Sequence, residues 1–387
     1  MSPPTATGPA LSEPVDRHRA SPERARRASR RVLPSRPVPR PVEVITIRDV
    51  ARRAGVSTAT VSRVLSQPDV VAPATRDAVT AAVDALGYTP NSAAKSLRTL
   101  RSGKILVTVP DISNPFFSLV LQGIENAALR GGYSVLVGDT QHDDKREQRY
   151  ALMLQRKEAD GFIFLGHRLP KAAAQLVRES APRCAPVVNA CEFSPTLGVP
   201  SVHIDNTRAA FEVVDHLCRL GHKHIGVVTG PLVSPLSRDR LQGVMTRARA
   251  DGIADLIAVV HGDFSIESGA IAAERLFAEK RRPTALFCFN DEMAIGVLSA
   301  ARRRGLTVPD DLSLVGFDDI RFAQYADPPL TTVLQPMREI GEGAVRLLLE
   351  IIRGEKLNPV SITLPHSLVV RASTAPPPRP SSSRKPR

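Results

Sequence analysis

"TIRDVARRAGVSTATVSRVL", residues 46–65, carries two helical beats with a glycine between them. Thr46 with Asp49 three residues on fits a helix start, a capping hydroxyl followed by an acidic first turn. Val50 and Ala54 lie four apart on one face, and Gly55 then breaks the run. Ser57 can cap a second helix in which Val61 and Leu65 point inward. A third begins near Thr75, carries Val79, Val83 and Leu86 on one stripe, and stops at Gly87. Three short helices with a tight glycine turn between the first two predict a helix-turn-helix.

The outward face of the second helix explains its composition. A helix that enters the major groove needs small outer side chains so that its backbone comes close. It also needs hydroxyls and an Arg for base edges and phosphates. Thr58, Ala59, Ser62 and Arg63 supply that face; with Thr46, Ser57 and Thr60 they are the candidate DNA contacts here. The competing reading is a small helical subdomain with a polar surface.

"NSAAKSLRTLRSG" follows at residues 91–103. Asn91 can cap a short helix through Arg98, with Lys95, Leu97 and Arg98 outward. A leucine between basic residues can wedge into a minor-groove base step; alternatively it packs on its neighbour in a plain linker helix. Asn91, Lys95 and Leu97 join the candidate contacts.

The charge distribution agrees with a polyanion partner at the front. Net charge is +13, and residues 1–40 alone hold nine arginines. The body beyond residue 100 is nearly neutral, and a short basic tail follows it. A basic front end on a neutral body points to nucleic acid; basic tails that only aid solubility are the alternative for the termini. Residues 1–43, rich in Pro, Ser and Arg, are expected to be disordered. The expected organisation is then 44–90 helix-turn-helix, 91–102 hinge helix and linker, 103–372 body, and 373–387 disordered tail.

From Lys104 the beat changes. "KILVTVP", "YSVLVGD", "GFIFLG", "HIGVVTG", "IAVVHGDF", "ALFCFN" and "LSLVGFD" are short apolar strands separated by helical stretches. Such strands predict parallel sheets covered on both faces. About ten of them exceed one ordinary sheet, so two lobes with a ligand cleft at the strand carboxyl ends are expected. Cysteines 184, 191, 218 and 288 have neither C-x-x-C nor metal spacing and read as reduced thiols, with no metal and no cofactor. No apolar run approaches the ~20 residues of a membrane helix, nor is there an apolar secretion stretch. A cytoplasmic, nucleoid-associated protein without a membrane partner is expected.

Several residues gather where helices start and strands end. Phe116 and Phe117 open the helix after the first strand, Phe264 follows "HGD", Arg240 begins the helix after "GVVTGP", and Asp318 ends "LSLVGFD". Rings can sandwich a base or sugar, and an Arg with a carboxylate can bind hydroxyls. Taken alone, these residues read as core phenylalanines and structural charges sooner than as a binding site.

The motifs "TIRDVARRAGVSTATVSRVL", "GYTPNSAAKSL", "GHKHIGVVTGP", "VPDDLSLVGFDD" and "PPLTTVLQP" resemble the lactose-repressor family of bacterial transcription regulators, over about Ile45 to Ser373. "VPDISNPFFS", "GHRLP", "CEF" and "VHIDN" are most similar to its cytidine-responsive branch. The resemblance implies a homodimer on a near-palindromic operator, a headpiece whose base preference is set by Thr58 and Ala59, and an intercalating Leu97. It implies a periplasmic-binding-protein-like body whose lobes meet near Asn206, Leu334 and Thr363. It also implies an effector site: Phe116, Phe117 and Phe264 match aromatic ligand contacts of purine-responsive members, and Arg240 matches a shared ligand-binding Arg. Asn290 and Asp318 match hydroxyl-binding positions. Ser234 stands where purine-responsive members carry Arg, which disfavours a free purine base. The implied effector is a nucleoside such as cytidine, with ribose or another sugar as the alternative. The cyclic-AMP receptor protein is a further partner carried by the resemblance alone. A periplasmic transport receptor fits the body but not the helix-turn-helix. An α/β enzyme lacks its usual signals, since there is no P-loop, G-x-S-x-G or G-x-G-x-x-G after the first strand.

Overall fold

The computed structural model describes residues 45–89, 101–181, 184–357 and 360–378. These fall into two compact units, one on each side of residue 90. The expected extension, the hinge residues Asn91, Lys95 and Leu97, and the chain beyond 378 lie outside the described residues.

The first unit is three helices, α1 (Ile47–Ala54), α2 (Thr58–Ser66) and α3 (Pro73–Leu86). Thr46 donates to the Asp49 carboxylate through its N–H (3.0 Å) and its hydroxyl (2.7 Å). These donors hold the Asp49 carboxyl below its ordinary value. Gly55 sits at φ +68°, a left-handed turn where a residue with a Cβ would be strained. Ser57 caps α2 by accepting the Thr60 N–H at 3.1 Å. The core is small: Val50, Ala51, Val61, Val64, Val79 and Ala82. One expectation is corrected here. Val64, not Leu65, faces inward, and Leu65 is exposed. Position 64 is three residues beyond Val61 and position 65 four, and in so short a helix the buried stripe follows the former.

In the second unit, strands β1 (Lys104–Val109), β2 (Ser134–Asp139), β3 (Gly161–Phe164), β4 (Val187–Ala190), β5 (Ser201–Ile204) and β11 (Ser361–Leu364) form a parallel sheet in the order β11-β5-β4-β3-β1-β2. The two-residue period sorts its side chains. Ile105, Val107, Val109, Ile163 and Val188 enter one core, beneath α4 (Pro115–Arg130) and α11 (Met337–Arg353). Leu106, Phe162, Phe164 and Val187 enter the other, beneath α5 (Asp144–Gln155) and α6 (Lys171–Ser180). α4 and α11 cross so closely that a Cβ on Gly123 would lie 2.1 Å from the Arg338 carbonyl oxygen, and one on Gly341 2.2 Å from that of Val120.

The second lobe is built on β6 (Ile225–Thr229), β7 (Ile257–His261), β8 (Ala285–Cys288) and β9 (Ser313–Val315), parallel in the order β7-β6-β8-β9. Its core also takes in α7 (Asn206–Leu220), α8 (Pro235–Ala250), α9 (Ile266–Phe277) and α10 (Asp291–Arg303). An antiparallel pair, β10 (Thr332–Leu334) with β12 (Ser367–Val369), completes it. The chain therefore passes between lobes three times: after Ile204, after Leu334 and after Leu364.

The expected tail boundary at 372/373 is also corrected. Ser373 is fully buried, its hydroxyl donating to the Leu314 carbonyl at 2.6 Å and accepting the Thr331 N–H at 2.8 Å. The Ala375 carbonyl accepts from the Ser313 hydroxyl at 2.9 Å and meets His222 Nε2 at 2.8 Å. A composition rich in Pro and Ser hid this edge pairing, because its partners, Leu314, Thr331, Ser313 and His222, come from distant parts of the chain.

Candidate functional site

The carboxyl ends of both parallel sheets face one cleft of about 550 Å³. Phe116, Phe117, Ser234, Arg240, Phe264, Asn290 and Asp318, scattered over two hundred positions of sequence, all line it. The first two come from the first lobe and the rest from the second. Phe116 and Phe117 meet edge-on at 5.2 Å between centroids.

Arg240 lies in the second turn of α8 and is buried. Its Nε donates to Asn206 Oδ1 at 2.8 Å and its Nη1 to the Phe289 carbonyl. Its guanidinium carbon stands 3.5 Å above the Phe317 ring centroid, a cation–π contact. Burial pulls its pKa down to about 10, opposed by Asp318 and Glu192, and it remains a cation at neutral pH. Asp318 accepts from Gln335 Nε2 at 2.7 Å. Burial pushes its pKa up to about 7, against the lowering pull of Arg240. Its φ of +111° and the +57° of Asp319 form a left-handed corner. Asp291 braces that corner by accepting the Ile320 N–H at 2.9 Å and the Thr332 hydroxyl at 2.6 Å.

Glu192 was not among the residues singled out from sequence. It leaves the end of β4 in the first lobe and is 5% exposed. Across the cleft, the Ser234 hydroxyl donates to both its oxygens, at 2.9 and 3.1 Å. The Leu236 N–H donates at 3.4 Å. Glu192 thus caps α8 from the opposite lobe, and burial raises its pKa to about 7. Its signal lay in "VVNACE": an acid directly after an apolar strand, the same pattern that marked Asp318. Asn206 and Gln335 were likewise missed, being ordinary polar residues until the fold brings them to Arg240 and Asp318.

In the first unit, Thr46, Ser57, Thr58, Ala59 and Arg63 are exposed, while Thr60 and Ser62 are half-buried. The Ser57 and Thr60 hydroxyls lie 2.9 Å apart and are shared within the cap. Thr58, Ala59 and Arg63 form the open part of the helix face. All four cysteines are free thiols. Among the described residues no group of His, Cys, Asp or Glu could hold a metal ion, and no helix is long and apolar enough to cross a membrane.

A helix-turn-helix unit joined to a two-lobed body around a buried cleft defines a class, the DNA-binding transcription regulators with a periplasmic-binding-protein-like receptor. Residues 46–91 match the family "Bacterial regulatory proteins, lacI family", and residues 214–374 match the "Periplasmic binding protein-like domain". The HTH-type transcriptional repressor CytR of Escherichia coli K12 is 44% identical over 85% of this chain and 96% of its own. Catabolite control protein A of Priestia megaterium is 37% identical over 85% of this chain and 99% of its own. The Lac repressor dimer bound to operator and the anti-inducer ONPF superposes with a TM-score of 0.76, at 31% identity, covering 86% of this chain and 99% of that one. The chain belongs to the lactose-repressor family. It is a DNA-binding transcriptional repressor, and its relatives are repressors rather than enzymes.

Proposed function

We propose that the cleft binds a nucleoside, with cytidine the first choice, and that occupancy changes the affinity of a homodimer for its operator. The observation that carries this is the composition of one cavity. It combines aromatic rings from both lobes with a buried Arg240 and the carboxyl of Asp318. Rings suit the flat base, and the charged pair with Gln335 suits sugar hydroxyls. A volume of about 550 Å³ falls within the range of small-ligand sites. The likeness to CytR supports the same choice. The reading places Thr58, Ala59 and Arg63 against operator bases and phosphates, and the protein in the cytoplasm. The cross-lobe contacts of Glu192 supply a coupling element: a ligand that tightens or loosens them shifts the lobe angle, and couplings of about 1–3 kcal/mol suffice to change occupancy several-fold.

The test is calorimetric titration of the full chain with cytidine, adenosine and ribose, paired with operator mobility shifts. Cytidine is expected to bind most tightly and to alter the shift. Arg63→Ala should weaken operator binding by roughly 10-fold or more, as loss of one base or phosphate contact does. Equal or absent binding of all three ligands would remove the nucleoside reading.

A further inference from the structure

We propose that Asn290 is a positioning residue: with Gly230 as a seat, it fixes Phe264 as a prebuilt stacking wall of the cleft rather than binding ligand hydroxyls itself. The proposal rests on the nucleoside reading only for what stacks there.

Both heavy atoms of the Asn290 amide are committed within its own lobe. Oδ1 caps α10 by accepting the Met293 N–H at 3.0 Å, and Nδ2 donates to the Phe264 carbonyl at 2.8 Å. The residue is 3% exposed, which leaves one amide N–H for anything else. The bond to Phe264 matters because that residue has φ +76°, a left-handed conformation that a bulky side chain rarely adopts. Such a conformation persists only where its surroundings hold it. Here three restraints do so. Asn290 holds the carbonyl. Asp263 Oδ1 accepts from the Ser265 N–H at 2.9 Å and its hydroxyl at 2.6 Å, and the Asp263 N–H donates to Ser268 at 3.1 Å. The ring itself lies on Gly230, where an added Cβ would sit 2.0 Å from ring Cζ. Gly230, Phe264 and Asn290 follow the ends of β6, β7 and β8, three neighbouring strands of one sheet. The wall is therefore complete within one lobe and does not wait for the lobes to close.

The chain contains no Trp, so Phe264→Trp creates a unique fluorescent reporter. Asn290→Asp keeps the acceptor that caps α10 and removes the donor to residue 264. Gly230 lies outside the left-handed region, so Gly230→Ala perturbs the seat with no backbone penalty, and thermal melting checks that each variant folds. In ligand-free Phe264→Trp protein, adding Asn290→Asp or Gly230→Ala is expected to raise the acrylamide quenching constant at least twofold. Unchanged quenching in both would overturn the proposal. In chains retaining Phe264, each substitution should lower the cytidine-to-ribose affinity ratio about tenfold. A loss shared equally by cytidine and ribose in Asn290→Asp would instead make Asn290 a hydroxyl-binding group and overturn the proposal. Should the wild-type chain bind no nucleoside, that reading fails on its own, and the quenching result still decides the role of Asn290.

Discussion

The helix-turn-helix unit and the two-lobed body use burial in opposite ways. The small unit buries six apolar side chains and leaves Thr58, Ala59 and Arg63, the residues proposed to read DNA, in solvent. The body has apolar material to spare and sinks the polar residues that line its cleft among it: Glu192, Arg240, Asn290 and Asp318 are each at most 6% exposed. A DNA-reading surface meets a partner larger than itself, so it must protrude. A receptor for a small molecule strengthens a few polar contacts by removing water from around them. Exposed residues can be exchanged at little cost to the fold, but that fold rests on a thin core. Buried function is held rigidly, and an unpaired charge is its weakness.

The largest expected effect tests the buried side. Arg240→Ala removes a cation that engages Asn206 and the Phe289 carbonyl and faces Asp318 and Glu192. Loss of its charge-assisted bonds should weaken cytidine by on the order of 100-fold in calorimetric titration. A parallel fall in ligand-free operator affinity would show that the residue holds the fold rather than the ligand, and the contrast between regions would break.

Next comes the contrast of cores. Val61→Ala in the first unit and Val107→Ala in the body each delete a fully buried side chain, at a cost on the order of 2 kcal/mol. In the small unit that loss is a large share of the total stability, so Val61→Ala should melt the headpiece near room temperature by circular dichroism and abolish operator binding. Val107→Ala should lower the body's melting temperature by about 4–8 °C. Comparable behaviour of the two variants would deny that the cores differ in reserve.

The smallest effect is a pH dependence. Burial stabilises the protonated forms of Glu192 and Asp318, whose pKa values of about 7 lie above the ordinary carboxyl values of 4.5 and 3.8. Raised folded-state values mean that this stabilisation is complete below the unfolded values and is lost as pH rises through 7. The ligand-free body should therefore melt lower at pH 8 than at pH 6. Glu192→Gln, neutral throughout, should flatten that slope by a few degrees. A slope unchanged by Glu192→Gln would place the titration elsewhere.

The same contrast governs what the sequence disclosed. Apolar spacing gave the three headpiece helices and the parallel strands, because periodicity is a local property. Strand ends and helix starts pointed to the rim positions of Phe116 and Asp318; Arg240, expected to begin its helix, lies in the second turn instead. Glu192, Asn206, Asp291 and Gln335 escaped, since each earns its role from a partner far away in the chain. Leu65 was misplaced because one turn of helix separates inside from outside by a single residue. The edge pairing of Ser373 was hidden because backbone, not side chain, receives it.

The three passages between lobes have a further consequence, for synthesis. The first lobe lacks α11 and β11 until residue 364 has been made, and the second lacks β12 and its edge residues until 375. The headpiece segment is therefore complete in a nascent chain long before either lobe of the body is. Neither lobe can complete its sheet or its edge until nearly all of the described chain has been synthesised.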